Sequence, residues 1–137
     1  MKPPKKVTLF CDGASRGNPG PGSFGYAIFE GSETIAREGR VLGTVTNNVA
    51  EYEGLIQGLA RCQELGATEV TVKSDSQVLV RQLNGEYKVK AAHLQVLAQK
   101  ARELLRGFER VQILHIRREE NTLADKLANA ALDGRVV

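Results

Sequence analysis

Four acidic side chains stand where predicted strands end or predicted helices begin. Asp12 closes the apolar run of residues 7–11, and Asp75 follows the alternating segment 69–74. Glu51 and Asp125 lie in the first turns of two predicted helices. Clustered carboxylates repel one another, so some of them take up protons or a cation joins them. Because ligands that offer only oxygen favour Mg²⁺ or Mn²⁺ over Zn²⁺, the four acids indicate a divalent-metal site if the fold brings them together.

Each of these acids also has a purely structural interpretation. Asp12 begins an Asp-Gly dipeptide, which is common in turns. Glu51 can complete a helix capping box with Asn48. Asp75 and Asp125 can be acids that the helix dipole favours near a helix N-terminus. Taken singly, none of the four residues distinguishes a metal site from ordinary helix and turn chemistry.

The elements that must position these acids follow the order β-β-β-α-β-α-α-β-α. A glycine-rich loop continues from the first strand through Gly22, and capping signals are Asn48 for the first helix, Ser74 with Gln77 for the second and Asn121 for the last. The predicted strands cover residues 7–12, 24–29, 34–42, 69–74 and 111–116, and the predicted helices cover residues 48–66, 75–83, 93–105 and 121–131. Strands joined by short turns, followed by strands separated by helices, predict an α/β fold with a mixed sheet and helices on its faces.

This order allows the acids to converge. If the first and fourth strands are parallel neighbours, Asp12 and Asp75 emerge side by side at the carboxyl ends of the strands. Open α/β sheets bind ligands at that edge. Helices packed on the sheet can then bring Glu51 and Asp125 in from the sides, so we expect one acidic cluster.

The composition indicates one domain over residues 1–137, with residues 1–6 as a flexible tail. The net charge of +3 permits a polyanionic partner without requiring one. Cys11 and Cys62 read as buried thiols, because two lone cysteines make neither a disulfide framework nor a zinc site. No apolar run is long enough to cross a membrane and no secretion signal is present, so we expect a cytoplasmic protein without a membrane partner. No interface pattern stands out, and we expect a monomer.

Four motifs, in order, resemble those of type 1 ribonuclease H (ribonuclease HI), and the likeness runs from about residue 7 to residue 131. They are Asp12-Gly13 ahead of a Gly-Asn-Pro-Gly loop, Thr46-Asn47-Asn48 ahead of Glu51, Ser74-Asp75-Ser76-Gln77, and Asn121 ahead of Ala124-Asp125. The resemblance implies a five-stranded mixed sheet, with the first three strands antiparallel, flanked by helices. It also implies metal-dependent cleavage of the RNA strand of RNA–DNA hybrids.

The resemblance further implies a role for each site residue. The four acids would hold two Mg²⁺ ions, or Mn²⁺, with Asp12 shared between them, and the products would carry 5′-phosphate and 3′-hydroxyl ends. Asn18, Asn48 and Gln77 would read the minor groove, while Thr46 and Arg16 are candidates for a DNA phosphate pocket. Asn47 and Asn48 also have a plain interpretation as helix caps. The substrate-binding set is Gly13, Ser15, Arg16, Asn18, Thr46, Asn47, Asn48 and Gln77.

Two departures from the family pattern affect what we expect. Many members carry a basic protrusion where this chain has only residues 85–90, so hybrid binding is predicted to be weaker, with few phosphate contacts. Many also place a histidine ahead of the last acid, where residues 117–121 contain none. Arg118 in that loop is a possible phosphate contact, or a surface arginine paired with Glu119 or Glu120. Two alternatives remain for the whole chain: a catalytically silent hybrid-binding module, or a nuclease of the same fold that cuts double-stranded RNA or DNA.

Overall fold

A computed structural model describes residues 3–136 and confirms the α/β class and the predicted order of elements. The strands are β1 (Lys6–Ser15), β2 (Gly20–Glu30), β3 (Glu33–Val45), β4 (Glu69–Ser74) and β5 (Arg110–His115). The helices are α1 (Asn47–Glu64), α2 (Gln77–Leu83), α3 (Ala92–Leu105) and α4 (Thr122–Asp133), with a 3₁₀ turn at Arg118–Glu120 ahead of α4.

The strands form one five-stranded sheet in the order β3-β2-β1-β4-β5. β1, β2 and β3 pair antiparallel, whereas β1 and β5 both run parallel to β4. Cys11 is in register with Ser74, so the residues that follow them, Asp12 and Asp75, lie side by side where the pairing of β1 with β4 ends. This is the parallel arrangement that the sequence predicts for the two acids.

Helices cover both faces of the sheet. On one face, Leu9 and Cys11 of β1 are buried with Tyr52 and Leu55 of α1, and α3 packs against α1. On the other face, α4 packs against β1, β2 and β3. Successive residues of a strand point to opposite faces, so Asp12 faces away from the side that buries Cys11. The side chain of Asp12 therefore lies on the face of the sheet that α4 covers.

Several element boundaries differ from those predicted, and contacts in the structure explain two of them. β2 begins at Gly20 rather than at the predicted Phe24, because Gly20 already pairs with Val45 of the neighbouring strand. The predicted tail is too long, because the backbone N–H of Lys5 donates to the Thr68 hydroxyl at 2.8 Å and β1 begins at residue 6. Residues 1 and 2 of that tail lie outside the described residues.

The capping predictions for the first two helices are wrong. Thr46, not Asn48, caps α1, because its hydroxyl accepts from the backbone N–H three residues on at 3.3 Å. Ser76 caps α2 in the same way at 3.3 Å, so the box of Ser74 with Gln77 does not form. Strand β4 extends through Ser74, whose position in the ladder keeps it out of the helix.

Two expectations from composition can be compared with the structure. Cys11 and Cys62 are free and buried, as predicted. Among the helices of the described residues, none has the length and apolarity that a membrane crossing requires.

Candidate active site

The four predicted acids meet at one polar cavity of about 530 Å³ at the carboxyl edge of β1 and β4. Asp12 reaches it from β1, Asp75 from the end of β4, Glu51 from α1 and Asp125 from α4. The complete lining is Asp12, Gly13, Ala14, Ser15, Asn47, Glu51, Asp75, Ser76, Arg118, Asp125 and Asn129. The predicted convergence is therefore present in the structure.

Glu51 reaches the cavity because α1 lies directly against β1 at Gly13. A Cβ at Gly13 would come closer than 3.0 Å to the carbonyl carbon of Ala50 and to the backbone nitrogen of Glu51. The absence of a side chain thus lets the helix backbone touch the strand backbone one residue after Asp12. Since α1 begins at residue 47, Glu51 lies in its second turn rather than in the predicted first turn.

Asp125 reaches the cavity because α4 lies against the other face of the sheet. Gly25 is the register partner of Asp12, and a Cβ there would come closer than 3.0 Å to the carbonyl oxygen of Ala124. Asn121 occupies the predicted N-cap position of α4, but its side chain does not cap the helix. Instead its amide donates to the Cys11 carbonyl at 2.9 Å, which ties the start of α4 to the residue preceding Asp12.

The cluster is electrostatically unfavourable when all its acids are ionised. Burial, and after it the charges of Asp75 and Asp125, raises the pKa of Asp12 to about 8, and Asp12 also shares a hydrogen bond with Asp125. Burial raises the pKa of Glu51 as well, although its hydrogen bond with Ser76 opposes that shift. Protonation of Asp12 lowers this repulsion, and a bound cation would relieve it as well.

The chemistry of these donors fits a hard divalent cation. The acids supply only carboxylate oxygens, which suit Mg²⁺ and Mn²⁺, and neither cysteine nor histidine lines the cavity. In the part of the chain that the structure describes, no three acidic, histidine or cysteine side chains already stand in an arrangement that could hold a metal ion. Binding of an ion would therefore require some of these carboxylates to move closer together than they stand here.

The substrate-binding residues expected from the resemblance fall into two groups. Gly13, Ser15 and Asn47 line the cavity, and the Ser15 hydroxyl donates to the Val45 carbonyl at 2.8 Å. The remaining residues lie beside the cavity rather than in its lining: Arg16, Asn18, Thr46, Asn48 and Gln77. Asn18 is nevertheless connected to the cavity, because its side-chain oxygen accepts from the backbone N–H of Asn47 at 3.0 Å.

Two arginine side chains near the site each contact an acidic side chain. Arg16 pairs with Asp133 at the end of α4, with 2.6 Å between Nη2 and Oδ1. Arg118 lines the acidic cavity and places its Nε 4.0 Å from Oδ2 of Asp75. The alternative pairing predicted for Arg118 is wrong, because the preceding residue, Arg117, contacts Glu119 and Glu120 instead.

Sequence reasoning assigned no role to two polar residues of the lining. Ser76 caps α2 and forms a hydrogen bond with Glu51, and its place directly after Asp75 could have indicated it. Asn129 follows Asp125 by four residues, a spacing that places both on one helical face. Both residues touch an acid of the cluster.

Comparison with known proteins gives consistent relatives. A family model described as reverse transcriptase-like matches residues 10–131. A bifunctional protein of Mycobacterium tuberculosis is 44% identical over 130 residues, which make up 93% of this chain but 36% of that protein. A Mycobacterium bovis protein matches to the same extent, so the chain spans about a third of the length of these mycobacterial relatives. A ribonuclease H of Chromohalobacter salexigens is 34% identical, and the match covers 93% of this chain and 85% of that protein.

Solved structures agree with the sequence relatives. RNase H1 of the archaeon Halobacterium salinarum superimposes with a TM-score of 0.92 at 40% identity, over 94% of this chain and 98% of that one. LC11-RNase H1, solved in complex with an RNA/DNA hybrid, gives a TM-score of 0.88 at 38% identity, over 93% and 97% of the two chains. The chain belongs to the type 1 ribonuclease H family.

Proposed function

We propose that this chain is an endonuclease that hydrolyses the RNA strand of RNA–DNA hybrids. The observation that carries the proposal is the meeting of Asp12, Glu51, Asp75 and Asp125 at one cavity. Family membership adds support, because a relative with the same fold was solved with an RNA/DNA hybrid. All four acids come from one chain over residues 1–137, so a monomer suffices for the site.

We place this protein in the cytoplasm, because its two free cysteines suit a reducing compartment.

The four acids would hold two Mg²⁺ ions, with Mn²⁺ as a substitute. Asp12 would be the shared ligand, because it is carried by the central strand β1 and the charges of both Asp75 and Asp125 act on it. When bound, the ions supply activation of a water molecule and stabilisation of the departing 3′ oxygen, which gives 5′-phosphate and 3′-hydroxyl products.

The other residues of the cavity position these acids and the substrate. Ser76 holds Glu51 by its hydrogen bond, and the fixed end of α2 thereby orients a carboxylate carried by α1. Arg118 has a permanently charged guanidinium with a fork of donors, and 88% of its side chain is exposed at the mouth of the cavity. It would bind the scissile phosphate or help the cleaved 5′-phosphate leave.

Substrate choice depends on reading 2′-hydroxyl groups on one strand only. Backbone groups at Gly13 and Ser15 would lie close to the RNA, since both residues line the cavity. Asn18, Asn48 and Gln77 would contact the minor groove from beside it. Asn47 and Thr46 would complete the substrate surface at the start of α1, where Thr46 also serves as the cap.

Binding of the hybrid by surfaces outside the cavity is expected to be weak. Only residues 84–91 connect α2 to α3, which leaves no room for a basic protrusion. A groove of about 620 Å³ beside this connection is lined by Tyr87, Lys88, Arg102 and Arg106 among others. One of its cations is already engaged, because Arg102 donates to the Gln82 carbonyl at 3.0 Å.

One experiment tests the proposal against its alternatives. Labelled RNA–DNA hybrid, double-stranded RNA and double-stranded DNA are each incubated with Mg²⁺, Mn²⁺ or EDTA, using the wild type and Asp12→Asn. We expect cleavage of the hybrid alone, with either metal, and none by the variant. Hybrid binding without cleavage in any metal would instead identify a silent binding module. Cleavage of double-stranded RNA or DNA at a comparable rate would reject the hybrid as the specific substrate.

A further inference from the structure

Asn129 contacts Asp125, one of the four acids of the cluster. It lies on α4 four residues after Asp125 and lines the same cavity. Its Nδ2 donates to the backbone carbonyl of Asp125 at 2.9 Å and to the carboxylate Oδ1 of Asp125 at 3.2 Å. The backbone carbonyl can only accept, so the amide nitrogen of Asn129, and not its oxygen, must face it.

This double contact fixes the carboxylate relative to its own backbone. One donor group is held at the main chain of Asp125 and at the side chain of the same residue. Asn129 is also neutral, so it orients the carboxylate without adding charge to four clustered acids.

We infer that Asn129 is a positioning residue that holds Asp125 in the orientation needed to bind the metal ion. This inference rests on the proposed function, because it assigns Asp125 to the metal. Carboxylate ligands of metals are commonly held by such hydrogen bonds, and the loss of one costs about tenfold to a hundredfold in metal affinity or activity. The competing interpretation is a local helix contact, since Asn side chains also bond to the carbonyl four residues back without any functional role.

The chain offers a matched control for the local contact. Asn84 likewise donates from Nδ2 to a backbone carbonyl, that of Ile113 at 3.3 Å, but it is not part of the cavity. Asn129→Leu keeps most of the side-chain volume without the donor, and Asn129→Ala removes both. Asn84→Leu removes an equivalent bond elsewhere. A purely structural role predicts similar small changes for the substitutions at both positions.

The measurement is the midpoint of a Mg²⁺ titration, which is the Mg²⁺ concentration that gives half of the full response. Two responses are followed. The first is the rise in melting temperature of the substrate-free protein as Mg²⁺ is added, and the second is the rate of hybrid cleavage. We expect both midpoints to rise about tenfold in the two Asn129 variants and to stay at the wild-type value in Asn84→Leu. At saturating Mg²⁺ the KM for hybrid should remain within about twofold of the wild type, because Asn129 acts through Asp125.

Two results would overturn the inference. The first is that the Mg²⁺ concentrations at half effect for both Asn129 variants lie within twofold of the wild-type value. The second is a loss of turnover at saturating Mg²⁺ with unchanged midpoints, which would place the amide on the substrate instead. Failure of the proposed function looks different: the wild type itself would not cleave the hybrid, while the melting titration would still report whether Asn129 affects Mg²⁺ binding.

Discussion

Replacing Asp12 by Asn should stabilise the metal-free protein while it abolishes cleavage. In the folded state the pKa of Asp12 is raised from 3.8 to about 8 by burial and by the charges of Asp75 and Asp125. Between those pH values the folded protein holds a proton that the unfolded chain has lost, so the free energy of unfolding falls as pH rises. Asn does not ionise and removes this slope. Its amide can still donate to Asp125, and its oxygen can still accept from the Gly13 N–H as Asp12 does at 2.9 Å.

The size of the gain follows from the same pKa. Each pKa unit corresponds to about 1.4 kcal/mol, so a shift across this window has a ceiling of about 6 kcal/mol. The cavity is open to water, which screens the repulsion, and we expect Asp12→Asn to gain about 2 kcal/mol more at pH 8 than at pH 5. For a domain of this size that difference corresponds to about 7 °C in melting temperature.

The assay is thermal and urea unfolding in EDTA at several pH values from 5 to 8. Asp133→Asn is the control, because hydrogen bonds from Arg16 and Arg135 lower the pKa of Asp133, and its loss should bring no gain that grows with pH. Added Mg²⁺ should stabilise the wild type and narrow the difference from Asp12→Asn. Parallel pH profiles for Asp12→Asn and the wild type in EDTA would refute the charge-repulsion argument.

Three further predictions concern the site and its surroundings. Gly13→Ala should lower the free energy of unfolding by about 3 kcal/mol and remove most of the cleavage activity, because the added Cβ would push α1 away from β1. Urea unfolding and hybrid cleavage check this, and a loss of stability below about 1 kcal/mol would contradict the close contact. Arg118→Ala should slow turnover about tenfold, or about 1.4 kcal/mol of barrier, in single-turnover assays where Arg117→Ala has little effect; equal small effects would leave Arg118 a surface charge. A log–log plot of hybrid affinity against salt concentration should have a shallow slope, because few phosphates are contacted. A slope that corresponds to about ten phosphate contacts would show that another basic surface, such as the groove beside Arg102, binds the hybrid.

How far the sequence determines the site depends on the type of interaction. Asp12 and Asp75 were predictable neighbours because parallel strands bring their carboxyl ends to one edge. The cap of α1 was misplaced by two residues, from Thr46 to Asn48, because pairing in the sheet determines where the preceding strand ends. The partner of Arg16 could not be foreseen, since Asp133 lies more than a hundred positions along the chain and is brought near only by the packing of α4.

The contacts at Gly13 and Gly25 also bear on how the protein opens. Helix backbones press on β1 at Gly13 from one face, and on the register partner of Asp12 from the other. Neither α1 nor α4 can move away from the sheet without exposing the central strand and the buried residues beneath it. Amide hydrogens in this part of β1 should therefore exchange with solvent only through openings as costly as global unfolding. Asp12, Glu51 and Asp125 would then separate only when the whole domain unfolds, so they would stay in place during partial melting of an outer element such as β5.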